Sequence, residues 1–591
     1  MVLKKNVRLT FILGFLLFIF FSFSCSHKQE LDRKSEERYS IKALAYNNMS
    51  VSGELYMRAM RNFDRLEEER YRPGKVFLTE EQSNGWSGDT EGRAILGLTL
   101  AAQATHRTPL YLDTIIKRLA SHLNAEGYMG PIYKNRINEQ QLSGNGWMLR
   151  GLCEYYEWKK DNQVLEYIKS IAKLFVNNKG GYAQYPIKEA VRNTTIGAES
   201  GSIQLEEGQW MLSSDIGCVF IGMDGLVHAY KYLRDPEIKE VIEEMISRFL
   251  EIDLVKIKAQ THATLTACRA LIRYAEITGD FSYIKEVQKR WEIYKKDGMT
   301  EERANYNWFD RFDTWTEPCA IVDSYMLAVQ LWQYTRNFAY RNDAELIYYN
   351  ALAHAQRANG GFGCENCPGE AINDPCLKVH VDEAYWCCTM RGAEGLSSAI
   401  RYSVFTDGQK RIYFPFYNSG EFKVPLSKGK SLSILEQTRY PFAGNVKFIV
   451  TDNTAGAVSL MFPIPFWMKD AKVVLNGNDI INEKVTDNFL ELTADLKRGD
   501  IIEISSSLLL HVEKPINIKN TKHSDIEIYS GPLLLAAGNG NDIIEIKNKK
   551  ELIPIDLGRF KLKNSDIIIS PIYHFLDPIV QKTGYCRQIL F

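Results

Sequence analysis

The stretch GNGWMLRGLCEYYEWKKD (144–161) opens on glycine and asparagine, runs through small and apolar residues, and ends charged. Small and apolar residues fall on all sides of its helical wheel, the pattern of a helix packed on both faces. The same element recurs as GDTEGRAILGLTLAAQ (88–103), GMDGLVHAYKYLRD (222–235), THATLTACRALIRYAEITGD (261–280), DSYMLAVQLWQYTRN (323–337) and RGAEGLSSAIRYSVF (391–405). These starts lie roughly 40 to 80 residues apart, about a helical hairpin with elaborated loops. The pattern predicts the inner ring of a double-layered toroid, an (α/α)6 barrel, with an open helical solenoid as the alternative. Uneven spacing favours the closed barrel, whose long loops would rim one end.

Beyond residue 406 the pattern changes to short β-rich pieces between turn residues, such as RIYFPFYNSGEFKV, NVKFIVTD, AKVVLNG and IIEISSSLLLHV. One or two β-sandwich modules are expected over 406–591, after a barrel over 45–405. The first residues, MVLKKNVRLTFILGFLLFIFFSFSC, place Lys4, Lys5 and Arg8 ahead of an apolar run that ends at Cys25. This reads as a bacterial lipoprotein signal over 1–25 with lipidation at Cys25, followed by a polar tether over 26–44. An exported lipoprotein of a Gram-negative bacterium is expected, in the periplasm or on the outer-membrane surface, with the lipid as its only membrane contact. A formal net charge of −1 over 591 residues gives no electrostatic case for nucleic acid.

The chain has 11 cysteines. Cys153, Cys218 and Cys268 fall inside apolar helical runs and read as core, with Cys586 less defined. The others besides Cys25 crowd between Cys319 and Cys388, which points to metal binding or catalysis rather than general stapling. TWTEPCAIVDSY places Glu317 and Cys319 two apart, and DEAYWCCTMRGAEGL sets Cys387 and Cys388 side by side. Thiolate and carboxylate suit four-coordinate zinc, so a Glu-x-Cys turn meeting a Cys-Cys turn would make a site of one carboxylate and three thiolates. A metal-ionised thiolate could also act as a nucleophile. GFGCENCPGEAINDPC adds Cys364, Cys367 and Cys376, for which a second zinc site, a disulfide and a loop covering the active site all stay open. Pocket groups are sought at the starts of the inner helices: Trp86, Asp89, Glu91, Asn145, Trp147, Asp215, Asp224, His228 and His262.

These residues resemble glycoside hydrolase family 127, the β-L-arabinofuranosidases, whose pattern is Glu-x-Cys, a downstream Cys pair, and an acid/base Glu sixteen residues before the ligand Glu. The resemblance implies zinc on Glu317, Cys319, Cys387 and Cys388, Cys387 as nucleophile, and Glu301 as general acid/base. It implies a retaining hydrolase that releases β-L-arabinofuranose or a similar sugar from oligosaccharides or polysaccharides of plant or other origin, and a pocket-type exo enzyme is the expectation. Two departures mark a divergent branch. TMRGAEG replaces the Pro-rich turn after the Cys pair, and the segment around Glu301 lacks the usual Gly-Glu, which leaves Glu302 as a second choice for the acid. A toroid-plus-sandwich polysaccharide lyase and a glycan-binding lipoprotein are the competing readings; neither explains Cys387 and Cys388.

Overall fold

Twelve of the helices among the described residues alternate between an outer and an inner layer. The computed structural model describes residues 41–188, 201–366, 375–479, 484–516, 526–539, 543–556, 558–574 and 586–591. The signal-like segment with Cys25 and nearly all of the 26–44 tether lie outside them. The outer helices are α1 (Gly53–Leu66), α3 (Leu112–Arg118), α5 (Asn162–Asn177), α7 (Pro236–Leu250), α9 (Tyr283–Asp297) and α11 (Phe338–Ile347). The inner helices are α2 (Asp89–Thr105), α4 (Glu139–Lys159), α6 (Val219–Leu233), α8 (Thr261–Thr278), α10 (Pro318–Thr335) and α12 (Cys388–Arg401). Each inner helix packs on the next, and α12 returns to α2, so the ring is closed: an (α/α)6 barrel rather than a solenoid.

The small residues of the opening motif explain how the ring closes so tightly. A Cβ added to Gly146 would lie 2.4 Å from Gly222 Cα, and one added to Gly92 would lie 2.3 Å from Met148 N. Neighbouring inner helices therefore touch backbone to backbone, which any larger residue would prevent. Outer helices show the complementary pattern: α5 buries Val164, Ile168, Ile171 and Phe175 on one stripe and leaves its other face polar.

The barrel axis is filled with charge. Arg150 Nε stands 2.9 Å from Asp224 Oδ2, and Arg150 Nη2 and Arg269 Nη2 each stand 3.1 Å from Glu394 Oε1. Asp323 takes Arg269 and Arg391, both at 2.5 Å. Every member is at most 2% exposed, so the layer survives only because each charge is paired.

Two β modules follow. Residues 405–508 form a sandwich of a six-stranded and a seven-stranded sheet. In Ser431–Thr438 and Val446–Asn453 the alternation points Leu432, Ile434, Phe448 and Val450 inward. The sandwich reaches back before the barrel: Lys42–Ala43 pairs with Phe405–Thr406, and Met49–Val51 pairs with Gly420–Pro425. The last sheet likewise recruits strands from within the barrel segment, Cys364–Asn366 and Cys376–Val381, the latter paired with Cys586–Gln588.

Candidate active site

All six inner helices begin at the same end of the barrel, and a cavity of about 540 Å3 opens there. Glu317 caps α10, with Pro318 and Cys319 as its first residues; Cys387 caps α12, with Cys388 as its first residue. The sharp turn into α12 (Cys387 φ −144°, ψ −58°) lets both adjacent sulfurs face α10. Cys388 Sγ lies 3.3 Å from Cys387 Sγ and 3.6 Å from Cys319 Sγ. One ligand atom from each of Glu317, Cys319, Cys387 and Cys388 lies within 4.8 Å of all the others, a cluster that could hold a metal ion. The N-termini of two helices point at it, favouring negative charge on the sulfurs.

A second layer fixes the cluster. Arg93 donates from Nη1 to Cys319 Sγ (3.3 Å) and from Nε to Asp89 Oδ2 (2.7 Å), while its guanidinium stacks 4.2 Å over Trp147. His262 Nδ1 meets Glu317 Oε1 at 3.2 Å, and its Nε2 stands 3.4 Å from Asp323 Oδ2. Burial alone would lower the His262 pKa, but the Glu317 carboxylate, the Cys319 sulfur and Asp323 raise it. Burial likewise opposes ionisation of Cys319, yet hydrogen bonds from Cys387 and Cys388 and the charges of Arg93 and His262 hold it well below the ordinary thiol range. Three thiolates and a carboxylate would carry four negative charges. A dication, Arg93 and a protonated His262 balance them, so the donor set fits a divalent metal of zinc type.

Of the sequence-predicted pocket groups, Trp86, Asp89, Asp215 and His262 line the cavity with Glu317, Cys387 and Cys388. The others lie elsewhere. Asn145 is buried, and its side chain is spent on backbone groups of Ser87, Met129 and Gln141. Trp147 lies beneath the cavity, between the guanidinium groups of Arg93 and Arg391. His228 is deeper still, against Arg150 and Glu157, and burial lowers its pKa to about 4. Asp224 belongs to the ionic layer, and Glu91 accepts the Leu78 N–H at 2.9 Å.

Glu301 is not among the residues lining the cavity. Its Oε2 accepts the Ile516 N–H at 2.7 Å, on the side of the last sheet. The cause is Arg303, whose Nη2 stands 3.0 Å from Glu513 Oε2, 3.2 Å from Glu527 Oε2 and 3.0 Å from Tyr529 Oη, drawing the 300–303 turn toward that sheet. Glu302 is buried beside it, and burial raises its pKa to about 7. The same loop does reach the cavity further on, through Asn307 and Trp315.

Sequence reasoning missed Arg93, Gln260, Asn307, Trp315, His380 and Trp386 as cavity residues. Trp386, next to the quoted Cys pair, was the one a local reading could have found. It is 48% exposed, with Tyr385 packed edge-on at 5.0 Å and Arg70 stacked 3.5 Å over Tyr385. Among the outlying cysteines, Cys364 is a free thiol and Cys376 is disulfide-bonded; Cys367 lies outside the described residues.

A closed helical toroid joined to β modules, with a cavity lined by polar and aromatic side chains at its helix starts, is an architecture common among carbohydrate-active enzymes. The match to family models is direct: residues 45–401 match the Beta-L-arabinofuranosidase, GH127 catalytic domain, and residues 411–508 the GH127 middle domain. The chain belongs to this family and is a glycoside hydrolase. Among solved structures it is similar to a GH127 beta-arabinofuranosidase (14% identity, TM-score 0.69, covering 94% of this chain and 98% of that one). It is also similar to a GH127 beta-L-arabinofuranosidase from Geobacillus stearothermophilus T6 (13% identity, TM-score 0.65, covering 92% and 99%). A search of curated proteins found no sequence match.

Proposed function

We propose that this chain is a retaining exo-acting glycosidase for β-L-arabinofuranosides or closely similar sugars, with Cys387 as nucleophile and zinc held by Glu317, Cys319, Cys387 and Cys388. The observation that carries the reading is the compact cluster of one carboxylate and three thiols at the start of α10 and α12, opening on the cavity. Zinc there would supply the charge that keeps Cys387 ionised at neutral pH. The Cys387 sulfur forms a bond to the anomeric carbon as the glycosidic C–O bond breaks, and a carboxylic acid protonates the departing oxygen. Water then attacks the same carbon, the C–S bond breaks, and the carboxylate takes the water's proton, giving net retention. A cavity of about 540 Å3 at the helix starts has room for a single terminal sugar, which suits exo action.

The resemblance gives the acid/base role to Glu301, which does not line the cavity here and accepts the Ile516 N–H. We assign that role to Asp89, which lines the cavity and whose Oδ1 is buried without a hydrogen-bond partner. Burial raises its pKa against the pull of Arg93, the direction a proton donor needs.

The test is hydrolysis of aryl and alkyl β-L-arabinofuranosides by the zinc-loaded protein, with proton NMR of the first-formed anomer. Cys387→Ser is expected to abolish turnover. Asp89→Asn should lose about 100-fold or more on alkyl glycosides and far less on activated aryl ones, since only poor leaving groups need the proton. Glu301→Gln should stay active. An inverted first product would overturn the nucleophile, and the same leaving-group signature in Glu301→Gln with none in Asp89→Asn would restore Glu301. We also propose that the chain is tethered by lipid on Cys25; Cys25→Ser should release it from the membrane fraction.

A further inference from the structure

Cys364 stands beside the four-residue cluster without belonging to it. It is a buried free thiol that lines the same cavity as Glu317, Cys387 and Cys388. The backbone fixes its place. Trp315 and Asn366 form an antiparallel bridge, the Thr316 N–H donates to Glu365 O at 2.9 Å, and the Glu365 N–H donates to Thr316 Oγ1 at 2.9 Å. Continued by one residue, this register sets Cys364 opposite Glu317. The strand is clamped: Arg357 Nη2 donates to Cys364 O at 3.2 Å, and the Glu365 carboxylate accepts from Arg357 (2.9 Å) and Arg587 (2.6 Å).

The next step rests on the reading of Cys387 as the nucleophile. Once its sulfur bonds to a sugar carbon, that sulfur becomes a neutral thioether and a weak donor. The remaining Glu317, Cys319 and Cys388 are then one ligand and one negative charge short of the balanced set. We propose that Cys364 is the reserve ligand of this centre, taking the coordination position that Cys387 gives up. Cys364 releases its proton to the water of the cavity as it binds. It takes a proton back when hydrolysis of the C–S bond returns Cys387 as a thiolate.

Cobalt(II) loaded into the full-length chain reads this without any substrate, because thiolate-to-cobalt charge-transfer absorption grows with the number of bound thiolates. Cys387→Ser mimics loss of the nucleophile's thiolate. It is expected to keep one metal and the absorption of three thiolates, while Cys364→Ser/Cys387→Ser falls to about two thirds of that intensity. Cys364→Ser alone should match the wild type. Equal, reduced intensity in Cys387→Ser and the double variant would overturn the reserve role while leaving the metal site standing. A wild-type chain that binds neither cobalt nor zinc would overturn both. Circular dichroism checks folding, and Cys364→Val/Cys387→Ser replaces the double variant if it misfolds.

Discussion

At the scale of single residues, the site works through groups that are held rather than groups that are merely near. His262 is the clearest case, holding Glu317 Oε1 at 3.2 Å while Gln260 Nε2 reaches Oε2 only at 3.4 Å. His262→Gln should weaken metal affinity about 10–100-fold, read by chelator competition, the usual cost of losing a partner that orients a ligand. Trp386 is held too, by the Tyr385–Arg70 stack, with its ring exposed at the cavity mouth. A sugar leaving group can lie on that ring. Trp386→Ala should cost about 1–2 kcal/mol of stacking, raising KM about tenfold for a disaccharide while leaving KM for a methyl glycoside little changed. Equal effects on both substrates would deny Trp386 that role. Neither residue's part was visible in the chain alone: a histidine between two carboxylates and a tryptophan on a stacked support are tertiary facts. The Glu317, Cys319 and Cys387–Cys388 set was legible, because each pair sits within three residues of a helix start and needs only two helices to meet.

At the scale of elements, depth along a helix and the partners met there separate the pocket groups from the rest. Asp89, His262, Glu317 and Cys387 lie at or within two residues of an inner-helix start. His228 lies nine residues into α6, which at 1.5 Å per residue is about 14 Å below its start. Asn145 and Trp147, on the earlier-starting α4, instead stand level with Ser87 and with Arg93 and are withdrawn by the partners they meet there. Periodicity located the helices, but the fine position of their starts decided which polar groups face the cavity. The Glu301 turn shows a different limit. Spacing from Glu317 singles Glu301 out along the chain but carries no sign of the Arg303 anchorage two residues on, made with a sheet some two hundred residues away. That anchorage carries a pH signature. Burial raises Glu302 to about 7 and Glu527 to about 8, both above their unfolded values, so the folded state takes up protons here. This stability is fully present below the unfolded carboxyl range and is lost as pH rises through 7 to 8. The melting temperature should therefore fall by several degrees between pH 6 and pH 9, and Glu302→Gln with Glu527→Gln should flatten the slope. An unchanged slope would place the titration elsewhere.

At the scale of the whole molecule, the barrel and the β modules exchange strands at both ends, so neither is an independent unit. Strands at 42–43 and 49–51 belong to the sandwich, and those at 364–366 and 376–381 to the last sheet. A chain of residues 45–405 alone should be insoluble or partly unfolded, and calorimetry of the whole chain should show the barrel and sheets melting together. The ionic layer adds a second dependence: Asp323→Asn leaves Arg269 and Arg391 to share Glu394 with Arg150 and should cost about 3–5 kcal/mol, seen as a large drop in melting temperature. The strand exchange also sets a schedule for the growing polypeptide. Glu365, next to Cys364 and across from the Glu317 segment, is gripped by Arg587, 222 residues further along. While synthesis is still under way, the ring of helices can gather but this edge of the sulfur cluster is held only by Arg357 and the Thr316 pairing. Hydrolytic competence would thus arrive late, as the final strand docks, so a partly made chain would have no finished site with which to attack a glycan.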